Sequence, residues 1–216
     1  MAKTVTAAEM KERERAANEA GLLYIQMMEN AGRAAWKELK ARVPALRRML
    51  IVAGKGNNGG DGFVMARVAA KEGVQVRVLL AEGEPKTADA KTNLARLAET
   101  VAEIVRDTEQ AAFGADAVVD ALYGTGFHGE LRPDGAAACA LMGRERERGA
   151  FVLALDLPSG VSADSGEVAE GAVQADATVT FDCTKPLHFA KASKPLCGAL
   201  VCADIGIGKA LGERET

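Results

Sequence analysis

The sequence has no C-x-x-C pair among its four cysteines, Cys139, Cys183, Cys197 and Cys202, and only two histidines, His128 and His188, to join them around a metal. That thin supply argues against zinc or a disulfide framework, and the cysteines read as free thiols in or near the core. There is no apolar run approaching the roughly 20 residues of a membrane-spanning helix. The longest are stretches such as MLIVAG and FVLAL. The opening residues MAKTVTAAEMKERERAANEAG carry charges where a signal peptide needs an apolar core, which points to the cytosol. Nor is there a surplus of basic charge, since 27 Lys and Arg face 30 Asp and Glu for a net charge of -3. Bulk attraction to nucleic acid or an anionic membrane is thereby disfavoured, and a small-molecule partner fits better. No repeat, low-complexity tract or linker interrupts the 216 residues, and 48% hydrophobic content suffices for a single α/β domain over residues 1–216.

What is present alternates. In LLYIQMMENAGRAAWKELKARV, Leu22, Leu23, Ile25, Met28, Ala31, Ala35 and Leu39 recur at three- and four-residue steps, a helical period, and two helices are expected before the first strand. Strands at RMLIVAG, VQVRVLLA, AEIVRD and DAVVDALYG then alternate with the helical stretches DGFVMARVAAKEG and KTADAKTNLARLAET. A helix around AAACALMGRERERG leads to further strands at FVLAL, DATVTFDC and GALVCADIGIG. This βαβ rhythm predicts a mainly parallel sheet buried on both faces by helices. The charge run GRERERG reads as a solvated helix end.

Four polar segments each follow a predicted strand: GKGNNGGDG, DALYGTGFHGELR, DLPSGVSADSG and DCTKPLH. Strand ends of a parallel sheet converge on one crevice, so these segments should share a site. The first contains G-x-G-x-x-G at Gly54, Gly56 and Gly59, which lets backbone N–H groups face a phosphate at a helix N-terminus. It lacks the G-K-[ST] ending of a nucleotide triphosphatase loop. Glu82, after the second strand, stands where a dehydrogenase places its ribose-binding acid. Against a dehydrogenase, Asn57, Asn58 and Asp61 crowd side-chain oxygens into the turn, and simple turn formation does not explain why Asp120, Asp156, Ser159 and Lys185 lie at other strand ends. The oxygens of Asn58, Asp120 and Ser159 suit a hard cation, and one carboxylate among neutral ligands suggests a singly charged one.

Assembled, MMENAGRAA (Met27 to Ala35), GKGNNGGDGFVMAR (Gly54 to Arg67), VDALYGTGFHGELR (Val119 to Arg132), LDLPSGVSADSG (Leu155 to Gly166) and ATVTF with Lys185 resemble the NAD(P)H-hydrate epimerase family, the YjeF N-terminal domain. The sequence departs from the family pattern in DIGIG at Asp204 to Gly208, in DCTKPLHF, and at Arg13 in the first helix. The resemblance implies a Rossmann-like three-layer αβα sandwich that interconverts the S and R forms of hydrated NADH and NADPH. It assigns substrate binding to Asn57, Asn58, Gly59, Gly60 and Asp61, and to Gly124, Thr125, Gly126, Phe127, His128, Gly129 and Glu130. It assigns potassium, one ion per subunit, to Asn58, Asp120 and Ser159, and makes Asp156 both substrate-binding and catalytic. Many bacterial members carry a ribokinase-like dehydratase domain that is not among these 216 residues; either the chain is a stand-alone epimerase, with a separate ADP- or ATP-dependent dehydratase as its expected functional partner, or it is part of a longer bifunctional enzyme. A homodimer is also expected, on the apolar surface around Leu22, Leu23, Ile25, Met27 and Met28.

Three points stay open on the residues alone. Lys185 either neutralises a phosphate or Asp156, or faces solvent ahead of Pro186. The hydroxyl of the substrate either leaves and returns, or the ring opens. A non-catalytic nucleotide-binding protein on the same fold is the alternative function, and a dehydrogenase ranks below it. Gly60 is expected at the closest approach to the dinucleotide phosphates, where a valine would exclude the ligand.

Overall fold

Met49, Ile51 and Ala53 of the first strand, β1 (Arg48–Ala53), pack into one apolar cluster and Leu50 and Val52 into another, and all five are fully buried. A strand apolar on both faces requires cover on both, and the computed structural model, which describes residues 3–213, provides it. The chain runs α1 (Ala7–Glu19), α2 (Tyr24–Arg42), β1, α3 (Asn57–Lys71), β2 (Gln75–Leu80), α4 (Ala88–Ala98), β3 (Glu103–Val105), α5 (Thr108–Ala111), β4 (Ala117–Ala121), α6 (Pro133–Glu147), β5 (Phe151–Leu155), β6 (Ala177–Phe181), β7 (Ala199–Ala203) and α7 (Ile207–Ala210). Helices α1 to α4 and α7 share the first cluster, α5 and α6 the second. The result is a three-layer αβα sandwich.

The strand order is β3-β2-β1-β4-β5-β6-β7, and every pairing is parallel. From β1 the chain first builds outward through β2 to β3, then returns to lay β4 on the other side of β1. That reversal splays the segments after β1 and β4 apart and opens a crevice at their C-terminal ends.

Local chemistry sets the two leading helices. Thr6 and Glu9 form a capping box on α1: the Thr6 N–H donates to Glu9 Oε2 at 2.7 Å, and the Glu9 N–H donates to Thr6 Oγ1 at 3.2 Å. Arg13 is no misplaced surface charge, because its Nε donates to Asp182 Oδ2 at 2.8 Å and its fork grips Glu213 at 2.7 and 2.8 Å. It clamps α1 across the end of β6. Helix α2 begins at Tyr24, so Leu22 and Leu23 precede it, and its buried stripe is Met27, Met28, Ala31, Gly32, Ala35, Trp36 and Leu39. The run GRERERG is the solvated helix end expected of it at every position but Glu145. Glu145 is fully buried, accepting from the Ala115 N–H at 3.1 Å and from Arg148 at 2.8 Å. A carboxylate so placed must be paired, and the arginine that follows supplies the charge. All four cysteines are free.

Candidate active site

GKGNNGGDG is a helix start rather than a loop. After β1 the turn Gly54 to Gly56 leads directly into α3 at Asn57, with no side chain capping that end. The N–H groups of Asn57, Asn58 and Gly59 therefore have no intrahelical acceptor and carry the positive end of the helix dipole, while the Gly60 N–H bonds the Gly56 carbonyl at 3.3 Å. Gly54 and Gly59 are small for packing reasons: a Cβ on Gly54 would lie 1.8 Å from the Leu122 carbonyl oxygen, and one on Gly59 would lie 2.2 Å from the Gly54 carbonyl oxygen. Backbone here touches backbone.

Gly60 corrects an expectation. Its missing Cβ points at Met28 Sδ (2.5 Å), Met28 Cε (2.6 Å) and Ala90 Cβ (3.2 Å), the contact between α3 and its neighbours α2 and α4, so that Met28 stands between it and the crevice that Met28 lines. Gly60→Val is accordingly expected to lower stability by about 1–3 kcal/mol through overpacking, with any loss of ligand affinity arising through the displaced Met28 and accompanied by that loss of stability. Paired thermal melts and binding isotherms check this; lost affinity at an unchanged melting temperature would return Gly60 to the ligand.

The segments after β4 and β5 meet below the helix start. Asp120 and Ser159 are both fully buried, and Ser159 donates to Asp120 through its Oγ at 2.6 Å and its N–H at 2.7 Å. The Leu122 N–H adds a third bond at 3.2 Å. Tyr123 ties this pair to α3, its N–H donating to Ser159 Oγ at 2.9 Å and its carbonyl accepting from Asn58 Nδ2 at 2.9 Å. Asn58 Oδ1 is buried and has no hydrogen-bond partner among the described residues. Burial pushes the Asp120 carboxyl up to about 6 against the pull of its Ser159 and Leu122 bonds. An orphaned amide oxygen beside a buried carboxylate with no cationic partner suits a cation held by oxygens alone.

Asp156 and Lys185 form the other half of the site. Lys185 is only 1% exposed, which removes the solvent-facing alternative, and its ammonium donates to Asp156 Oδ1 at 2.5 Å, Thr180 Oγ1 at 2.9 Å and the Phe181 carbonyl at 3.3 Å. Thr180 Oγ1 also donates to Asp156 Oδ1 at 2.9 Å. Burial alone would raise the Asp156 carboxyl, but the Lys185 charge and the bonds from Lys185 and Thr180 outweigh it and hold it below the ordinary carboxylate value. The backbone of Asp156 is left-handed, φ 65°, which a non-glycine residue adopts at a cost and which aspartate tolerates better than most. His188 was assigned no place in the site from the sequence. It is buried, its Nδ1 accepts the Lys185 N–H at 2.9 Å, and Nε2–H therefore donates to the Asp156 carbonyl at 3.0 Å. The neutral ring this requires agrees with burial lowering its pKa.

These elements enclose a cavity of about 530 Å³, within the range of small-molecule sites of ~300–1,000 Å³. Of the residues singled out in the sequence, Asn57, Asn58, Asp61, Gly124, Thr125, Gly126, Phe127, His128, Glu130, Asp156 and Lys185 line it. Gly59, Gly60, Asp120 and Ser159 lie behind the wall, and Gly129 borders a neighbouring depression. Glu82 also lines the cavity, where it accepts from the Tyr123 hydroxyl at 2.8 Å. The sequence reading passed over Glu14, Lys55, Tyr123 and Arg132, which line it too. Lys55, between two glycines of the first segment, was the legible one. Asp61 and Glu14 are both raised, foremost by burial and then by the Asp156 charge, Asp61 well above its ordinary value and Glu14 to about 7. Three carboxyls thus share one buried ammonium.

Residues 24–187 match the family described as YjeF-related protein N-terminus. The chain belongs to that family. Among YjeF-related relatives, the NAD(P)H-hydrate epimerase of Pirellula staleyi is 40% identical over 89% of this chain and 87% of its own length. The bifunctional NAD(P)H-hydrate repair enzyme Nnr of Coxiella burnetii is 38% identical over 93% of this chain, and that of Escherichia coli 34% over 93%. The chain spans only 41% and 39% of those two proteins. In fold it is similar to the crystal structure of yeast ynu0, YNL200c, with a TM-score of 0.76, 19% identity, and coverage of 94% of this chain and 88% of that one. No helix among the described residues is long and apolar enough to cross a membrane, and these residues hold no cluster of three or more His, Cys, Asp and Glu that could bind a metal.

Proposed function

We propose that the chain is an isomerase that interconverts the S and R forms of hydrated NADH and NADPH. The observation that carries this is Asp156, fixed as a carboxylate by the buried Lys185 in the wall of a cavity roofed by the bare N-terminus of α3. Kinship with a named NAD(P)H-hydrate epimerase supplies the substrate. The diphosphate would lie at the N–H groups of Asn57, Asn58 and Gly59, with Lys55 and Arg132 in the lining as its counter-charges. In the hydrate a hydroxyl stands on the ring carbon next to nitrogen, and the nitrogen lone pair can expel it; return of water to the other face inverts the centre. Asp156 is the base that takes the proton of the returning water. Labelled water supplied during turnover should place its oxygen in both epimers, and hydrated NADH resolved as one epimer should become a mixture. Retention of a single epimer would remove the reading and leave a nucleotide-binding protein.

A potassium ion held by Asn58, Asp120 and Ser159 belongs to the same reading, supported by the orphaned Asn58 Oδ1 and the unpaired charge of Asp120. When bound it would fix the turn at Tyr123 and offset negative charge beside the substrate. At a hundred times its Kd such an ion adds about 2.7 kcal/mol of stability, roughly 5–10 °C of melting temperature for a domain of this size. The expected result is a melting temperature higher in potassium than in lithium chloride at equal ionic strength, with the difference absent from Asp120→Asn. Equal melting in the two salts removes the ion. Pairing of two copies over Leu23 and Tyr24, 58% and 38% exposed, and supply of the S epimer to a nucleotide-dependent dehydratase complete the proposal.

A further inference from the structure

The pair that makes Asp156 a base leaves it without a proton to give. A hydroxide is a poor leaving group, so expulsion of the substrate hydroxyl needs an acid as well as a base. Lys185 cannot serve: its three N–H donors already meet Asp156, Thr180 and the Phe181 carbonyl. His188 is equally spent, one nitrogen accepting from the Lys185 N–H and the other donating to the Asp156 carbonyl. The acid must come from another element.

Helix α1 brings one. Its other acids are all engaged, Glu9 in the capping box and Glu12 and Glu19 with Arg15, and Arg13 is bound to Asp182 and Glu213. Glu14 is half-buried, lines the cavity with Asp61, Asp156 and Lys185, and among the described residues makes no hydrogen bond or ion pair. Left without a partner, its placement in the wall has no structural return. We propose that Glu14 is a second catalytic residue of this site, the proton donor to the departing hydroxyl, working opposite Asp156 as base. The proposal rests on the hydrate-epimerase reading. Glu14 lies ahead of residues 24–187, the part of the chain that matches the family.

The step balances without an oxidant or co-reactant. Glu14 passes its proton to the hydroxyl oxygen, the C–O bond breaks as the nitrogen lone pair forms a C=N⁺ bond, and water leaves. Water then adds from the other face, its oxygen pair forming the new C–O bond while the C=N⁺ pair returns to nitrogen, and Asp156 takes the proton that this water sheds. Solvent water carries that proton from Asp156 back to Glu14. The charges facing Glu14 are those of Asp156 and Asp61, of Lys185, of Asp182 held by Arg13, and of Lys11 on its own helix. Burial foremost, then Asp156, set the Glu14 carboxyl at about 7, where a donor is protonated yet able to release its proton. Asp61, on α3 and raised foremost by burial, is the other acid in the wall, and it is left to substrate binding, the role that the family resemblance gives it.

The test compares wild type, Glu14→Gln and Glu14→Asp on the resolved S epimer of hydrated NADH across pH, each with a thermal melt. The wild type should show a bell in kcat/KM, falling at low pH as Asp156 protonates and falling above about 7 as Glu14 loses its proton. Glu14→Gln should melt as wild type does, lose about a hundredfold in kcat with little change in KM, and lose the alkaline limb. Glu14→Asp should restore that limb with a lower kcat. A wild-type rate and unchanged alkaline limb in Glu14→Gln would overturn the proposal and leave the epimerase reading standing. So would a Glu14→Asp protein without an alkaline limb. No conversion by the wild type would sink both.

Discussion

Asp156→Asn is expected to slow interconversion of the hydrates by about two to four powers of ten, the range lost when a proton-transfer group is removed. Asparagine is the informative replacement. It keeps the volume of the side chain, it tolerates the left-handed backbone at φ 65° that alanine would hold only under strain, and its amide oxygen can still accept from Lys185 and Thr180. What it cannot do is take a proton. The site around it should persist, since His188 grips the backbone carbonyl of residue 156 rather than its side chain. The measurement is a single-turnover rate beside a binding isotherm, with the loss expected in kcat and not in affinity. A well-folded asparagine variant with near-normal turnover would show that Asp156 orients the ligand and that the base lies elsewhere.

Much of this arrangement was legible in the sequence because its causes are local. Strands such as MLIVA and FVLAL are apolar without alternation, and only a sheet covered on both faces accepts such runs, so the layers and the parallel pairing followed. The shared crevice followed from the polar segments at the strand ends. What the residues could not disclose was direction. Gly60 sits in a glycine-rich motif of phosphate-binding form, yet its open side is filled by Met28 from α2, a contact set by how two helices cross. Lys185 precedes a proline in a polar segment and had every local mark of an exposed lysine, whereas Asp156 and Thr180, 29 and 5 residues earlier in the chain, draw its ammonium inward. Glu14 stands in a helix so charged that no periodicity separates the acid facing the cavity from those facing water. His188 is three residues from Lys185, and that spacing was the available signal, since one turn of 3₁₀ helix returns its ring to the lysine's N–H.

Lys185→Met should be the most damaging single replacement in the site, and pH should reveal why. Methionine fills the channel of the lysine stem but removes the one cation paired with the buried Asp156, and breaking a buried pair from one side costs about 3–5 kcal/mol when the remaining charge cannot neutralise. Asp156 can neutralise, by taking a proton, so the cost depends on pH. In the wild type its folded pKa lies below the unfolded value of ~3.9, so the pair contributes stability above that value that is lost as pH falls through the folded pKa. Without Lys185 the burial effect, the largest influence on this carboxyl, is opposed chiefly by the Thr180 hydrogen bond, and the folded pKa is expected to move above the unfolded one. The sign then reverses: the variant should be closest to wild type near pH 4 and lose ground as the pH rises through the new pKa, because ionising Asp156 now opposes folding. Activity should follow the opposite course, with the acid limb of kcat/KM displaced upward and turnover recovering only where the carboxylate forms at the expense of the fold. Melting temperatures and rates over the same pH series test both halves together. A constant stability deficit from acid to neutral pH, with the acid limb unmoved, would mean that Lys185 fills space and that Asp156 is kept ionised by the hydrogen bonds of Thr180 and the rest of its surroundings.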